Sequence, residues 1–129
     1  MHGPPGPPAQ SSTAPLLRVS VEHRGLISLV HVSGDVDAST VDHLARAVRH
    51  ALAASHAVVL DLQHVTFFAA AGVRLLLQTR QSAMKVNTKL HLVGAKSVMR
   101  SLELTGLTGE FTVHDTVAEA VATLEPGRA

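Results

Sequence analysis

The chain has 129 residues, 46% of them hydrophobic and 16% charged, with a formal net charge of +1. That length suits one domain, and the apolar content excludes a chain too hydrophilic to fold. The near-neutral charge, with three Phe and no Tyr or Trp, excludes the basic stripe and stacking aromatics of a nucleic-acid binder, and the absence of Cys excludes disulfides and thiolate chemistry.

Residues 1–15, MHGPPGPPAQSSTAP, are rich in Pro, Gly and Ser and are expected to form a disordered tail. They lack the basic start and apolar run of a secretory signal. No apolar stretch approaches the ~20 residues needed to cross a membrane, so a soluble, cytoplasmic protein is expected. The domain proper is expected over residues 16–125, with a short tail at 126–129.

In LLRVSVEHRG, Leu17, Val19 and Val21 alternate with polar residues, the period of a half-buried strand, and Arg24-Gly25 turns the chain. LISLVHVSG is a second strand, ended by Gly34, and the short turn predicts an antiparallel hairpin. A helix follows, with Val41, Leu44, Val48 and Leu52 inward and Asp42, Arg46 and Arg49 outward. Ser39 and Asp42 have the spacing of a capping box. HAVVLDLQHV reads as a strand buried on both faces. TFFAAA, residues 66–71, reads as a loop, and GVRLLLQTRQSAMKV as a helix with a Val73, Leu76, Leu77 and Met84 stripe.

The alternation continues with strand KLHLVG, helix SVMRSLELTG, strand FTVHD and helix TVAEAVATL. Gly106 is placed to cap the helix before it, and Thr116 with Glu119 forms a capping box for the last one. Strands alternating with helices predict an α/β domain whose sheet is mostly parallel.

Catalytic signatures are missing. Walker A and dinucleotide motifs need clustered glycines after a strand, and Gly72 and Gly94 stand alone. No Gly-x-Ser-x-Gly elbow is present. The strand end best suited to chemistry in an open sheet carries Ala69, Ala70 and Ala71. None of these supplies a nucleophile, acid, base or ligand, so no enzymatic activity and no cofactor are expected. The nine histidines (His2, His23, His31, His43, His50, His56, His64, His91 and His114) are scattered. They form neither a zincin pair nor a His-x-His strand, so they are expected to be solvated or locally bonded rather than to hold a metal.

The segment VVLDLQHVTFFAAAGVRLLL, residues 58–77, resembles the signature of STAS domains, in which a buried strand ending in Asp-Leu leads through a short loop into an apolar helix. GDVDAST (34–40), VGAKSVMRSLELTGL (93–107) and FTVHDTVAEAV (111–121) resemble three further family regions in the same order. The resemblance spans residues 16–124. It implies a small α/β fold, its sheet mixed but mostly parallel, with an antiparallel first strand and helices packed on it. It also implies the role of an anti-sigma factor antagonist, a non-catalytic module that binds an anti-sigma factor, often of the serine-kinase ATPase type, and frees a sigma factor. In the family, phosphorylation of a loop serine breaks the docking.

This chain departs from the family there. With Gly72 on the family's loop glycine, Ala70 occupies the phospho-acceptor position and Ala69 replaces the preceding Asp. A methyl cannot take a phosphoryl group, whose charge and acceptor oxygens would disrupt a docking surface. A constitutive antagonist is therefore expected, with Asp37, Ala69, Ala70, Ala71, Gly72 and Arg74 at the partner surface. Asp37 reads equally as a turn residue and Arg74 as a solvated helix charge. Thr66, Ser39 and Thr40 keep hydroxyls and are expected to be structural. Two other functions remain open: a scaffold or accessory subunit of a stress-signalling or lipid-transport complex, suited by an apolar loop, and a ligand sensor using the helix N-terminus at Gly72.

Overall fold

Alternation of Leu17 and Val19 with polar residues makes the first strand, β1 (Leu17–Arg24), and a two-residue turn at Gly25-Leu26 returns the chain as β2 (Ile27–Val36). The pair is antiparallel, in register from Leu17 opposite Gly34 to Arg24 opposite Ile27. A computed structural model describes residues 16–125. The tails expected at 1–15 and 126–129 lie outside the described residues. The remaining elements are α1 (Val41–Ala54), β3 (Ala57–Phe68), α2 (Ala70–Lys85), β4 (Lys89–Val93), α3 (Lys96–Leu104), a 3-10 turn (Thr108–Glu110), β5 (Thr112–His114) and α4 (Val117–Leu124).

The five strands lie in the order β1-β2-β3-β4-β5, and all pairs after the hairpin are parallel. This is the expected α/β architecture, with an antiparallel first strand on a mostly parallel sheet. Each parallel crossover steps one strand in the same direction. Right-handed crossovers then force α1, α2 and α3 onto one face. The main core sits there: Leu44 and Val48 of α1, Val73 and Leu76 of α2 and Val98 and Leu102 of α3 pack on Val30, Val32, Leu60, Leu62 and Leu92. Each fully buried Leu among them contributes about 1.5–3 kcal/mol over an exposed one. α4 lies on the other face, where Ala120 and Val121 meet Ile27, Leu29, Val59 and Val93. That face receives no other helix among the described residues.

Several local expectations are corrected. Gly34 does not end β2. Its φ is +103°, and a Cβ there would lie 2.1 Å from the Leu16 carbonyl oxygen, which accepts from the Asp35 amide at 2.9 Å. The glycine admits this close approach, and β2 continues unbroken to Val36. Because β2 continues, so does its partner: Phe67 pairs with Asp35 and Phe68 with Val36, so the expected loop at 66–71 is strand to Phe68. Only Ala69 separates it from α2. β3 is buried through Leu62, but Gln63 and His64 are exposed.

The Ser39–Asp42 box does not form. Thr40 is the N-cap of α1 without a side-chain cap bond, because Asp37, fixed earlier in the turn, has already taken the local amides. On α2 the inward residues are Val73, Leu75, Leu76, Thr79 and Ala83. Met84 is 66% exposed, being set off that face by the helical period. The Gly106 cap forms as expected, and the Thr116 box forms in its first arm, with the Glu119 carboxylate one residue early. Gly106, with φ +72°, closes α3 through Gly106 N–H to the Glu103 carbonyl and Leu107 N–H to the Leu102 carbonyl. Thr116 Oγ1 accepts from Glu119 N at 3.1 Å, while the Glu119 carboxylate reaches Asp115 N.

Replacing Gly34 by Ala places a methyl inside a backbone carbonyl at a left-handed φ. Urea denaturation is expected to show a loss of about 2–4 kcal/mol. Gly106→Ala, with open space around the site, should lose only about 1–2 kcal/mol. Equal losses would mean that the Leu16–Gly34 approach is not a constraint.

Candidate functional site

The β2–α1 and β3–α2 connections emerge side by side at the carboxyl ends of two neighbouring parallel strands, where open α/β sheets build their sites. Ala69 N–H donates to the Val36 carbonyl at 2.9 Å, so a single hydrogen bond ties the two connections. Ala69 is the N-cap of α2, extended at ψ 178° and without a side-chain cap. Its carbonyl accepts from Gly72 and Val73. Ala70 is exposed, Ala69 and Ala71 are half-buried and Gly72 is buried. A Cβ on Gly72 would lie 2.7 Å from the Phe68 ring, so glycine here lets α2 begin directly on that ring. Arg74 is exposed on the next turn.

Asp37 anchors the neighbouring connection. Its Oδ1 accepts from Ser39 N at 2.8 Å, Ser39 Oγ at 2.7 Å and Thr40 N at 3.1 Å. The Ser39 hydroxyl and amide, then Thr40, hold its carboxyl below the ordinary aspartate value. Thr40 Oγ1 accepts from Asp37 N and donates to the Asp35 carbonyl, and Thr66 Oγ1 donates to Asp35 Oδ1 at 2.8 Å. All three hydroxyls are thus engaged within the turn and the strand pair. Asp37 serves the turn, while its position beside the Ala69 connection keeps it at the same surface.

Residues overlooked in the sequence support this end. β4 pairs with β3 only as far as Asp61 opposite Val93. Beyond it, Ser97 Oγ of α3 donates to the Val65 carbonyl and Ser101 Oγ to the Phe68 carbonyl, both at 2.8 Å. Serines four apart on one helix were the available signal. Phe67, read as loop, lies in β3 two residues before Ala69 and is 54% exposed.

A second constellation lies on the sheet face that carries α4. Asp61 is buried; its Oδ1 accepts from Gln63 N and Nε2, and its Oδ2 faces His31 Nδ1 at 2.8 Å. His31 Nε2 faces Glu22 Oε1 at 3.1 Å. An imidazole between two carboxylates satisfies both only as the imidazolium, donating from each nitrogen. Burial opposes the charge on His31, but the bonds to Asp61 and Glu22 outweigh it and raise its pKa above the ordinary 6.5. Burial likewise pushes Asp61 up, and the Gln63 and His31 bonds bring it below the ordinary value. Elsewhere His91 Nδ1 and His114 Nε2 lie 2.8 Å apart, and burial, then His114 and Lys89, lower the His91 pKa. His43 and His50 are exposed on α1. Among the described residues, no three or more His, Asp or Glu converge on a metal position, and no helix is long and apolar enough to cross a membrane.

The family model described as the STAS domain matches residues 18–120. The fold is similar to that of an anti-sigma factor antagonist from Mycobacterium paratuberculosis, at 29% identity and a TM-score of 0.77, over 84% of this chain and 93% of that one. It is also similar to the anti-sigma factor antagonist SpoIIAA in its unphosphorylated form, at 17% identity and a TM-score of 0.71, over 83% and 96% of the two chains. The Bacillus cell fate determinant SpoIIAA in its phosphorylated form matches at 18% identity and a TM-score of 0.66, over 84% and 100%.

The carboxylate–imidazolium clamp makes stability depend on pH. The His31 contribution is complete below its ordinary pKa and is lost as pH rises through the raised value. The Asp61 contribution is complete above the ordinary carboxylate value and is lost as pH falls through the lowered one. His91, with its lowered pKa, acts in the opposite sense to His31, so the informative quantity is a difference. The melting temperature of the parent chain minus that of His31→Gln should be larger at about pH 6 than at about pH 8.5. An identical gap at both would mean the clamp is not proton-linked.

Proposed function

Because the chain belongs to the STAS domain family, we propose that it is an anti-sigma factor antagonist. In this reading it binds an anti-sigma factor of the serine-kinase ATPase type in the cytoplasm and releases a sigma factor, without catalysis. The likeness to the Mycobacterium paratuberculosis antagonist, over nearly the whole of that chain, supports the class. One observation carries the mechanism: Ala70, the residue matched to the phospho-acceptor, is the exposed first residue of α2 and has no hydroxyl.

A docking surface centred on Ala69, Ala70 and Ala71 has few charges to strip of water when a partner covers it. Asp37, at one side, and Arg74, one turn into α2, supply polar contacts that fix orientation. In an antagonist with a serine at the Ala70 position, phosphorylation adds about −1.5 to −2 charges to that surface, at a cost in desolvation and repulsion. Ala70 keeps the surface uncharged and competent. Control then rests on abundance or on competition for the partner.

The tagged full chain is expected to retain an anti-sigma factor from host lysate, identified by mass spectrometry and undiminished by ATP. Incubation with that partner and ATP should leave the intact mass of the chain unchanged. Ala70→Asp buries an unpaired carboxylate at the contact and should weaken the complex by about 30-fold or more. A phosphate on the loop, or release by ATP, would refute constitutive binding. Recovery of transport or scaffold subunits instead would refute the sigma-pathway role.

A further inference from the structure

The two faces of the sheet are unequally covered. α4 packs over β3, β4 and β5 and reaches Ile27 and Leu29 of β2 through Ala120 and Val121; among the described residues no helix covers β1 or the part of β2 from His31 onward on that face. Side chains of three neighbouring strands line a cleft of about 380 Å³ there, at the small end of the range for ligand sites. The register arranges them as two adjacent rows. Ser20 of β1 lies opposite His31 of β2, which lies opposite Asp61 of β3. Arg18 lies opposite Ser33, which lies opposite His64.

The second row depends on an irregularity. From His31 to Ser33 is two residues on β2, whereas the matching step on β3, Asp61 to His64, is three. Strict alternation would turn His64 away from Asp61. The extra residue turns it back, so that both line the cleft. Such a bulge re-aims a side chain at a cost in ladder hydrogen bonding.

The hydrogen-bonding capacity of the cleft is one-sided. Its carboxylate is consumed: Asp61 holds Gln63 through one oxygen and His31 through the other. Glu22, just beyond, is taken by His31 and Arg24. Among the described residues, Arg18, Ser20, Ser33 and His64 make no side-chain hydrogen bond or ion pair with the protein. Arg18 offers a fixed fork of donors matched to an oxyanion and the two hydroxyls donate readily, while His31 turns both ring nitrogens to its carboxylates.

We propose that this cleft is a binding site for a small oxyanion of the phosphate class, held by Arg18 and by Ser20, Ser33 and His64. Arg18 takes the anion bidentately, Ser33 and His64 complete its row, and Ser20 approaches from the next. The cleft is separate from the alanine surface: His64 lies five residues before Ala69 along β3, about 16 Å at strand spacing. Occupancy of the one does not require the other, and the inference stands apart from the sigma-factor reading.

The test is an amide chemical-shift titration of the full 15N-labelled chain with sodium phosphate and with glycerol 3-phosphate, ionic strength held constant with sodium chloride. Saturable shifts are expected around residues 18–20, 31–33 and 61–64. Arg18→Gln should weaken binding by about tenfold or more, as loss of a charge-assisted pair does. Arg74→Gln on α2 should leave it unchanged. Arg18 is exposed and makes no such contact, so its variant should keep the parent spectrum elsewhere. Equal affinity for both probes identifies the phosphate group alone as the determinant, and tighter glycerol phosphate identifies a phosphomonoester; either supports the site. Shifts that do not saturate, that chloride reproduces, that centre on the first turn of α2, or that survive Arg18→Gln unchanged would overturn it.

Discussion

The parallel pairing of β2 with β3 governs the geometry of this protein, and its two irregularities matter as much as its regular rungs. Each inserts an extra residue in β3, one between Asp61 and His64 and one between Val65 and Phe67. The helix-facing core residues of β3 therefore run Val58, Leu60, Leu62, Val65, Phe68, with spacings that change from two to three. Without that change Val65 or Phe68 would point away from the helices, and a buried aromatic would be lost from the end of the core. The same insertions carry β3 far enough for Ala69 to bond Val36 and for α2 to start on the Phe68 ring.

Extending two strands beyond their neighbour creates a debt in hydrogen bonds. β4 stops at Val93, and the Val65 and Phe68 carbonyls lie past its reach. The serines of α3 take over, so a helix caps a strand edge that no strand covers. That arrangement couples α3 to the end of the sheet where the alanine surface lies. On the other strand, Gly34 admits the Leu16 carbonyl and so fixes the start of β1 against the end of β2. Both devices hold the carboxyl end of the sheet in place without placing any reactive group there.

Two surfaces with opposite chemistry result. The α2 start is apolar and uncharged, suited to a protein partner and carrying no hydroxyl at the exposed alanine. The open sheet face is a row of donors over a buried carboxylate. Handedness explains the division. Three crossovers in one direction put three helices on one side, leaving α4 alone among the described residues to cover the other, and eight residues cannot span five strands. Polar residues on that face, including His31 and Asp61, are stable because their bonds to one another offset the burial of charge.

Much of this was legible from residue order. Alternation at Leu17 and Val19 of β1, the 3.6-residue period of α1, the strand–helix alternation and the caps at Gly106 and Thr116 are local properties, determined by the side chains of a few successive residues, and they form as read, whereas Val21 is exposed. The α/β class and the family likeness follow from them. The sequence also determined that Ala70 carries no acceptor hydroxyl, because that is a matter of composition. Tertiary structure decided the rest. Gly34 reads as a strand end until the Leu16 carbonyl crosses it, and TFF reads as a loop because its inward period changes once bulges enter. Asp37 displaces the Ser39–Asp42 cap by competing for the same amides. His64, His31, Ser20 and Arg18 meet only through the register of three strands. That register is set by the burial of side chains distant in sequence, and no local pattern records it.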